Sequence, residues 1–87
     1  MMTTYERSDI IHIMKMNRFT LGDSDTAHLE FDGQIKGKDY WITILVVEDL
    51  PQIFIKWDGE VIYSETIKSI DDLKIFLEER LYKYLEA

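Results

Sequence analysis

The chain has 87 residues and a formal net charge of −7 from 17 acids and 10 bases; it is 46% hydrophobic and 13% aromatic and has no cysteine. That much apolar material excludes a disordered chain, and the length suits a single domain over residues 1–87. The missing cysteines exclude disulfides, thiolate metal sites and cysteine nucleophiles, while the acidic balance opposes direct nucleic acid binding.

The first residues lack the apolar run of a signal peptide, and no stretch reaches the ~18 apolar residues of a membrane span. The expectation is a soluble, cytoplasmic protein that does not engage a membrane.

The opening segment, TTYERSDIIHIMKMNRF, reads as a helix. Thr3 and Glu6 have capping-box spacing, Glu6 and Asp9 lie early, and Lys15 and Arg18 lie late, as the helix dipole favours. Ile10, Ile13, Met14 and Met16 form its apolar face, although the run Ile10–Ile13 also suits a strand. LGDSDT then reads as a loop.

Four strands follow. AHLEFDGQIK, Ala27–Lys36, is the first and DYWITILVV, Asp39–Val47, the second. A turn at Asp32-Gly33 would set charged residues against apolar ones. A two-residue turn at Gly37-Lys38 pairs Ile35 with Tyr40, Phe31 with Ile44 and Leu29 with Val46. The second register is preferred, and it leaves Gly33 inside a strand as a bulge. After EDLP, Gln52–Trp57 is the third strand. A turn at Asp58-Gly59 leads to the fourth, Glu60–Glu65, with Ile55 opposite Ile62 and Phe54 opposite Tyr63.

The last segment reads as a helix that opens with Ser69 and Asp72 at capping-box spacing. Leu73, Phe76, Leu77, Leu81, Tyr84 and Leu85 follow at helical intervals, and Glu79 with Lys83 adds an i,i+4 pair. The fold class is therefore α+β: α-β-β-β-β-α, a four-stranded antiparallel meander packed with N- and C-terminal helices.

Alternation sorts the sheet into two faces. Leu29, Phe31, Ile35, Tyr40, Ile42, Ile44, Val46, Ile53, Ile55, Trp57 and Ile62 form a core face. The second face has His28, Glu30, Asp32 and Gln34 along one edge. It is apolar elsewhere, through Trp41, Leu45, Val47, Phe54, Val61 and Tyr63, with Thr43, Lys56 and Glu65 among them. Four strands at ~4.8 Å span roughly 19 Å, and two helices at ~10 Å cover that width. Either both helices sit on the core face and leave the second open, or the N-terminal helix crosses to bury it.

Motifs for chemistry are weak. The H-x-E step at His28 and Glu30 lacks the cysteine pair that a zinc deaminase needs. His12 and His28 with Asp23 or Asp25 have no recognised metal-ligand spacing. DSDT lacks the later ligands of a calcium loop, Gly37-Lys38 has no upstream P-loop glycine, and no nucleophile elbow occurs. Lys15, Arg18 and His12 read as a solvated helix end. The expectation is no enzyme, no cofactor and no metal.

What remains is binding. Trp41, Leu45, Phe54, Val61 and Tyr63, with Glu30 and Asp32 at the rim, would contact a protein partner or a second copy of the chain. Trp57 reads as a core-edge residue. An alternative is an acidic inhibitor that mimics nucleic acid, with Glu30, Asp32, Glu48, Asp49, Asp58 and Glu60 standing in for phosphates. Small phage and mobile-element accessory proteins share this size and acidity, a likeness that covers no motif. A small enzyme or metal protein is the third and weakest reading.

Overall fold

The computed structural model describes residues 7–46, 50–81 and 83. Two helical segments flank a five-stranded antiparallel sheet whose spatial order follows the chain, β1-β2-β3-β4-β5.

Helix α1 (Arg7–Met16) buries Ile10, Ile13 and Met14, three of the residues on its predicted apolar face, while Met16 is exposed. The Thr3–Glu6 pair lies outside the described residues. The helix stops earlier than the sequence suggests. Arg18 adopts a left-handed φ of 70°, Phe19 N–H donates to the Met14 carbonyl, and Arg18 N–H donates to the Lys15 carbonyl, each at 3.0 Å. These reciprocal bonds form a Schellman cap, and buried Phe19 supplies its usual apolar contact with Met14. No glycine marks the stop, so the residue types there do not signal it.

The cap aims the chain back along the sheet, and LGDSDT is not all loop. Thr20–Ser24 forms β1, an edge strand that pairs Thr20 with Asp32 and Leu21 with Phe31 before its register shifts. Four of its five residues are exposed, so burial left no alternation to read.

Strands β2 (His28–Ile35) and β3 (Lys38–Leu45) turn at Lys36-Gly37, not Gly37-Lys38. Both turn residues have positive φ, 54° and 81°, as a type I′ hairpin turn requires. Phe31 therefore faces Ile42 and Leu29 faces Ile44. The shift from the expected register is two residues, which leaves every side chain on its predicted face. Gly33 pairs regularly with Tyr40, so the expected bulge is absent there. Its missing side chain makes room for Phe19: a Cβ at position 33 would lie 2.7 Å from the ring.

Strands β4 (Gln52–Trp57) and β5 (Glu60–Thr66) turn at Asp58-Gly59 as expected, again with positive φ at both positions. Trp57 faces Glu60 and Lys56 faces Val61, but beyond them Ile55 faces Tyr63 and Phe54 faces Ser64. A bulge at Ile62 separates the two registers. It moves Tyr63 and Glu65 from the second face to the core face, against the sequence-based expectation.

Helix α2 (Ile70–Ile75) starts as predicted: Asp72 N–H donates to Ser69 Oγ at 3.0 Å. Lys68 N–H donates to the Asp72 carboxylate at 2.9 Å. From Phe76 to Arg80 the helix widens into a π turn. Leu73, Phe76, Leu77 and Leu81 are buried with Ile10, Ile13 and Met14 of α1 in one cluster against Leu29, Phe31, Ile42, Ile44, Ile53 and Ile55. Both helices thus lie on the core face, and α1 does not cross to the other. None of the described helices is long and apolar enough to cross a membrane.

Candidate functional site: the helix-free face of the sheet

The strand registers fix the layout of the second face. Thr20, Asp32, Trp41, Lys56 and Val61 form one row across all five strands. Glu30, Thr43, Phe54 and Ser64 form the next row, and His28, Leu45, Gln52 and Thr66 the third. β3 is the middle strand, and Trp41 lies at the middle of β3. The largest side chain of this face therefore stands at its centre.

Burial shows that nothing described covers it. Trp41 and Val61 are each 54% exposed, whereas Ile42 and Ile44 on the opposite side of β3 are 0% and 1% exposed. Leu45, Phe54 and Lys56 are half-buried against their neighbours on the sheet. Thr43 is 8% exposed, and its buried hydroxyl has no hydrogen-bond partner among the described residues.

Charge divides the face around Trp41. On the β2 side, Asp23, Glu30 and Asp32 line a small hollow of about 210 Å³ against the indole. On the β4 side, an open groove of about 830 Å³ runs past Lys38, Asp39, Lys56, Trp57 and Asp58. Trp57, expected at the core edge, is 42% exposed and has the Lys38 ammonium 5.3 Å from its ring centroid.

Of the residues expected to bind a partner, Trp41, Leu45, Phe54, Val61, Glu30 and Asp32 share this face. Tyr63 does not. It pairs with Ile55, stacks on Phe76 at 6.0 Å, and donates its hydroxyl to the Glu65 carboxylate. Glu65 also receives the Arg80 guanidinium, which reaches Asp72 at 3.0 Å. Tyr63 thus helps to join β5 to the C-terminal helix. Lys56 was not among the expected contact residues. Its place beside Trp41 becomes legible once the β3–β4 register is known. Asp23 was passed over as a contact because its strand read as loop.

The remaining acids of the nucleic-acid-mimic reading lie apart from these. Asp58 sits in the β4–β5 turn and Glu60 starts β5, with Lys56 between them and the β2 carboxylates. Glu48 and Asp49 lie outside the described residues.

His28 Nδ1 lies 2.9 Å from Asp25 Oδ1, and its Nε2 lies 3.9 Å from Glu30. The same Asp25 oxygen accepts from the Ala27 and His28 backbone N–H groups. The Ala27 N–H chiefly holds the Asp25 carboxyl below its ordinary value; burial opposes it, and the His28 N–H and imidazole add to it. This is a turn-closing cluster. Among the described residues, no group of three or more His, Asp or Glu side chains is placed to hold a metal ion.

Compared with family models, curated proteins and solved structures, the chain matches none.

Proposed function

We propose that this chain is a non-catalytic protein-binding module and that the helix-free face of its sheet is the contact surface. The observation that supports this reading is Trp41. An indole more than half exposed at the centre of a sheet face is costly to leave in water, and tryptophan is enriched among the residues that dominate binding energy. Leu45, Phe54 and Val61 surround it with further apolar surface, and Glu30, Asp32 and Lys56 give that surface a polar rim.

The test is affinity capture with the wild-type chain and Trp41→Ala on the same matrix, beside a substitution on the opposite side, Lys74→Ala. Removing a half-exposed indole leaves the fold intact, as circular dichroism would verify. The expected result is a bound protein retained by wild type and Lys74→Ala and lost by Trp41→Ala. Identical capture by all three would overturn the reading.

The acidic-mimic reading stands second. Its support is the grouping of Asp23, Glu30 and Asp32 around one hollow. Binding of a basic partner through those carboxylates would weaken steeply with added salt.

A further inference from the structure

The central row of the helix-free face has a charge pattern that fits a second copy of this chain. Asp32, Trp41 and Lys56 are direct neighbours on β2, β3 and β4, in a single row. An acid stands on one side of the central indole and an ammonium on the other. Place a second sheet face to face with the first, related by a two-fold axis that runs along β3. That rotation keeps positions along the strands and exchanges the two sides of β3. β2 of one copy then lies over β4 of the other. Asp32 meets Lys56 of the second copy, Lys56 meets Asp32, and the two Trp41 side chains meet at the axis.

We infer that the helix-free face binds a second copy of this chain, as a two-fold dimer whose axis runs along β3. This deepens the proposed function and rests on it. A two-fold interface must be complementary to itself, which requires opposite charges at positions that the axis exchanges. The Asp32–Trp41–Lys56 row meets that condition; in the rows beside it, exposed Asp39 of β3 meets its own copy and Glu30 meets the uncharged Phe54. An axis across the strands through Trp41 does not, because it would set Asp32 against Asp32 and Lys56 against Lys56.

The available area agrees with this. The five strands hold 5, 8, 8, 6 and 7 residues, and at ~4.8 Å per strand and ~3.3 Å per residue they give a projected face of roughly 540 Å². Two such faces reach about 1,100 Å² in total, just above the ~1,000 Å² that a specific interface should clear. Sheets packed this way align within about 30° of each other, so neighbours close to the axis keep their pairing. The exposed indole takes the central position, where dominant contacts cluster.

Sedimentation equilibrium on four samples tests the inference: wild type, Asp32→Lys, Lys56→Asp and the double variant, each checked for fold by circular dichroism. Wild type is expected to dimerise at micromolar concentration. Each single variant sets like charges against each other twice per dimer and is expected to weaken association about ten-fold or more. The double variant is expected to return to within about three-fold of wild type. The decisive sample is an equimolar mixture of the two single variants. In a two-fold dimer their charges complement one another, so they are expected to associate with each other where neither associates with itself.

A wild-type dimer indifferent to these substitutions would place the contact elsewhere, such as edge strand β1 or β5, and overturn the inference. A wild-type monomer at ~1 mM would overturn it too. If that monomer still captured another protein through Trp41, the binding-module reading would survive without the second copy. If it captured none, both would fall.

Discussion

At the scale of single residues, the second face holds two side chains that a stable monomer has little use for. Trp41 leaves an indole in water, and Thr43 buries a hydroxyl that finds no partner among the described residues. An unsatisfied hydroxyl loses its hydrogen bonds to water on folding and regains nothing. Valine has nearly the same shape, fits a strand well and has no hydroxyl to desolvate. Thr43→Val is therefore expected to raise stability by about 1 kcal/mol, read as a higher urea midpoint at unchanged slope. A lower midpoint would mean that the hydroxyl does make a hydrogen bond in solution. Gly33 shows the opposite case, a position that must stay empty so that the Phe19 ring can close the end of α1 onto the sheet.

At the scale of elements, the C-terminal helix is held to β5 by more than apolar packing. Arg80 reaches Asp72 within its own helix and Glu65 on the strand, and its guanidinium lies 5.3 Å from the Phe76 ring centroid. Burial alone would raise the Asp72 carboxyl. The Lys68 N–H and the Arg80 guanidinium outweigh it and hold the group below its ordinary value. A carboxyl with a lowered folded value contributes stability that is complete above its unfolded value, about pH 3.9, and is lost as pH falls through the folded value. Asp72→Asn is thus expected to cost about 1–2 kcal/mol between pH 5 and 7. The gap to wild type should close below pH 4, as urea midpoints at pH 7, 5, 3 and 2 would show. A gap that persisted at pH 2 would mean that the carboxylate's charge is not what matters.

The elements also show what the sequence makes legible. Helix α2 was readable because its cap is side-chain chemistry: Ser69 and Asp72 announce it. The faces of β2 and β3 were readable because alternation survives a two-residue error in register. Three features were not readable. Arg18 takes a left-handed conformation where glycine is the usual signal, so the end of α1 was hidden. β1 is too exposed to show a period. The bulge at Ile62 leaves no mark in composition, so Tyr63 and Glu65 were assigned to the wrong face. The centre of the candidate surface escaped these errors because Trp41, Leu45 and Phe54 lie on strands that tolerate them.

At the scale of the whole molecule, net charge and local charge pattern oppose each other. Two chains of −7 repel, while two Asp32–Lys56 contacts attract. With the sheets ~10 Å apart, the chain centres lie roughly 20 Å apart, and the unscreened point-charge repulsion in water is on the order of 10 kcal/mol. At 0.01 M salt the Debye length is about 30 Å and roughly half of that repulsion survives; at 0.15 M it is about 8 Å and less than a tenth does. The two attractive contacts contribute at most about 1 kcal/mol each, and salt weakens them over a similar range. The global term therefore wins, and the dimer is expected to tighten at least ten-fold between 0.01 and 0.15 M salt. Sedimentation equilibrium across that range would measure it. Carboxylates docked on a basic partner would respond with the opposite sign, because salt screens an attraction there. If self-association instead weakened as salt rose, opposite charges would dominate the contact, and apolar closure around Trp41 would not be what holds the copies together.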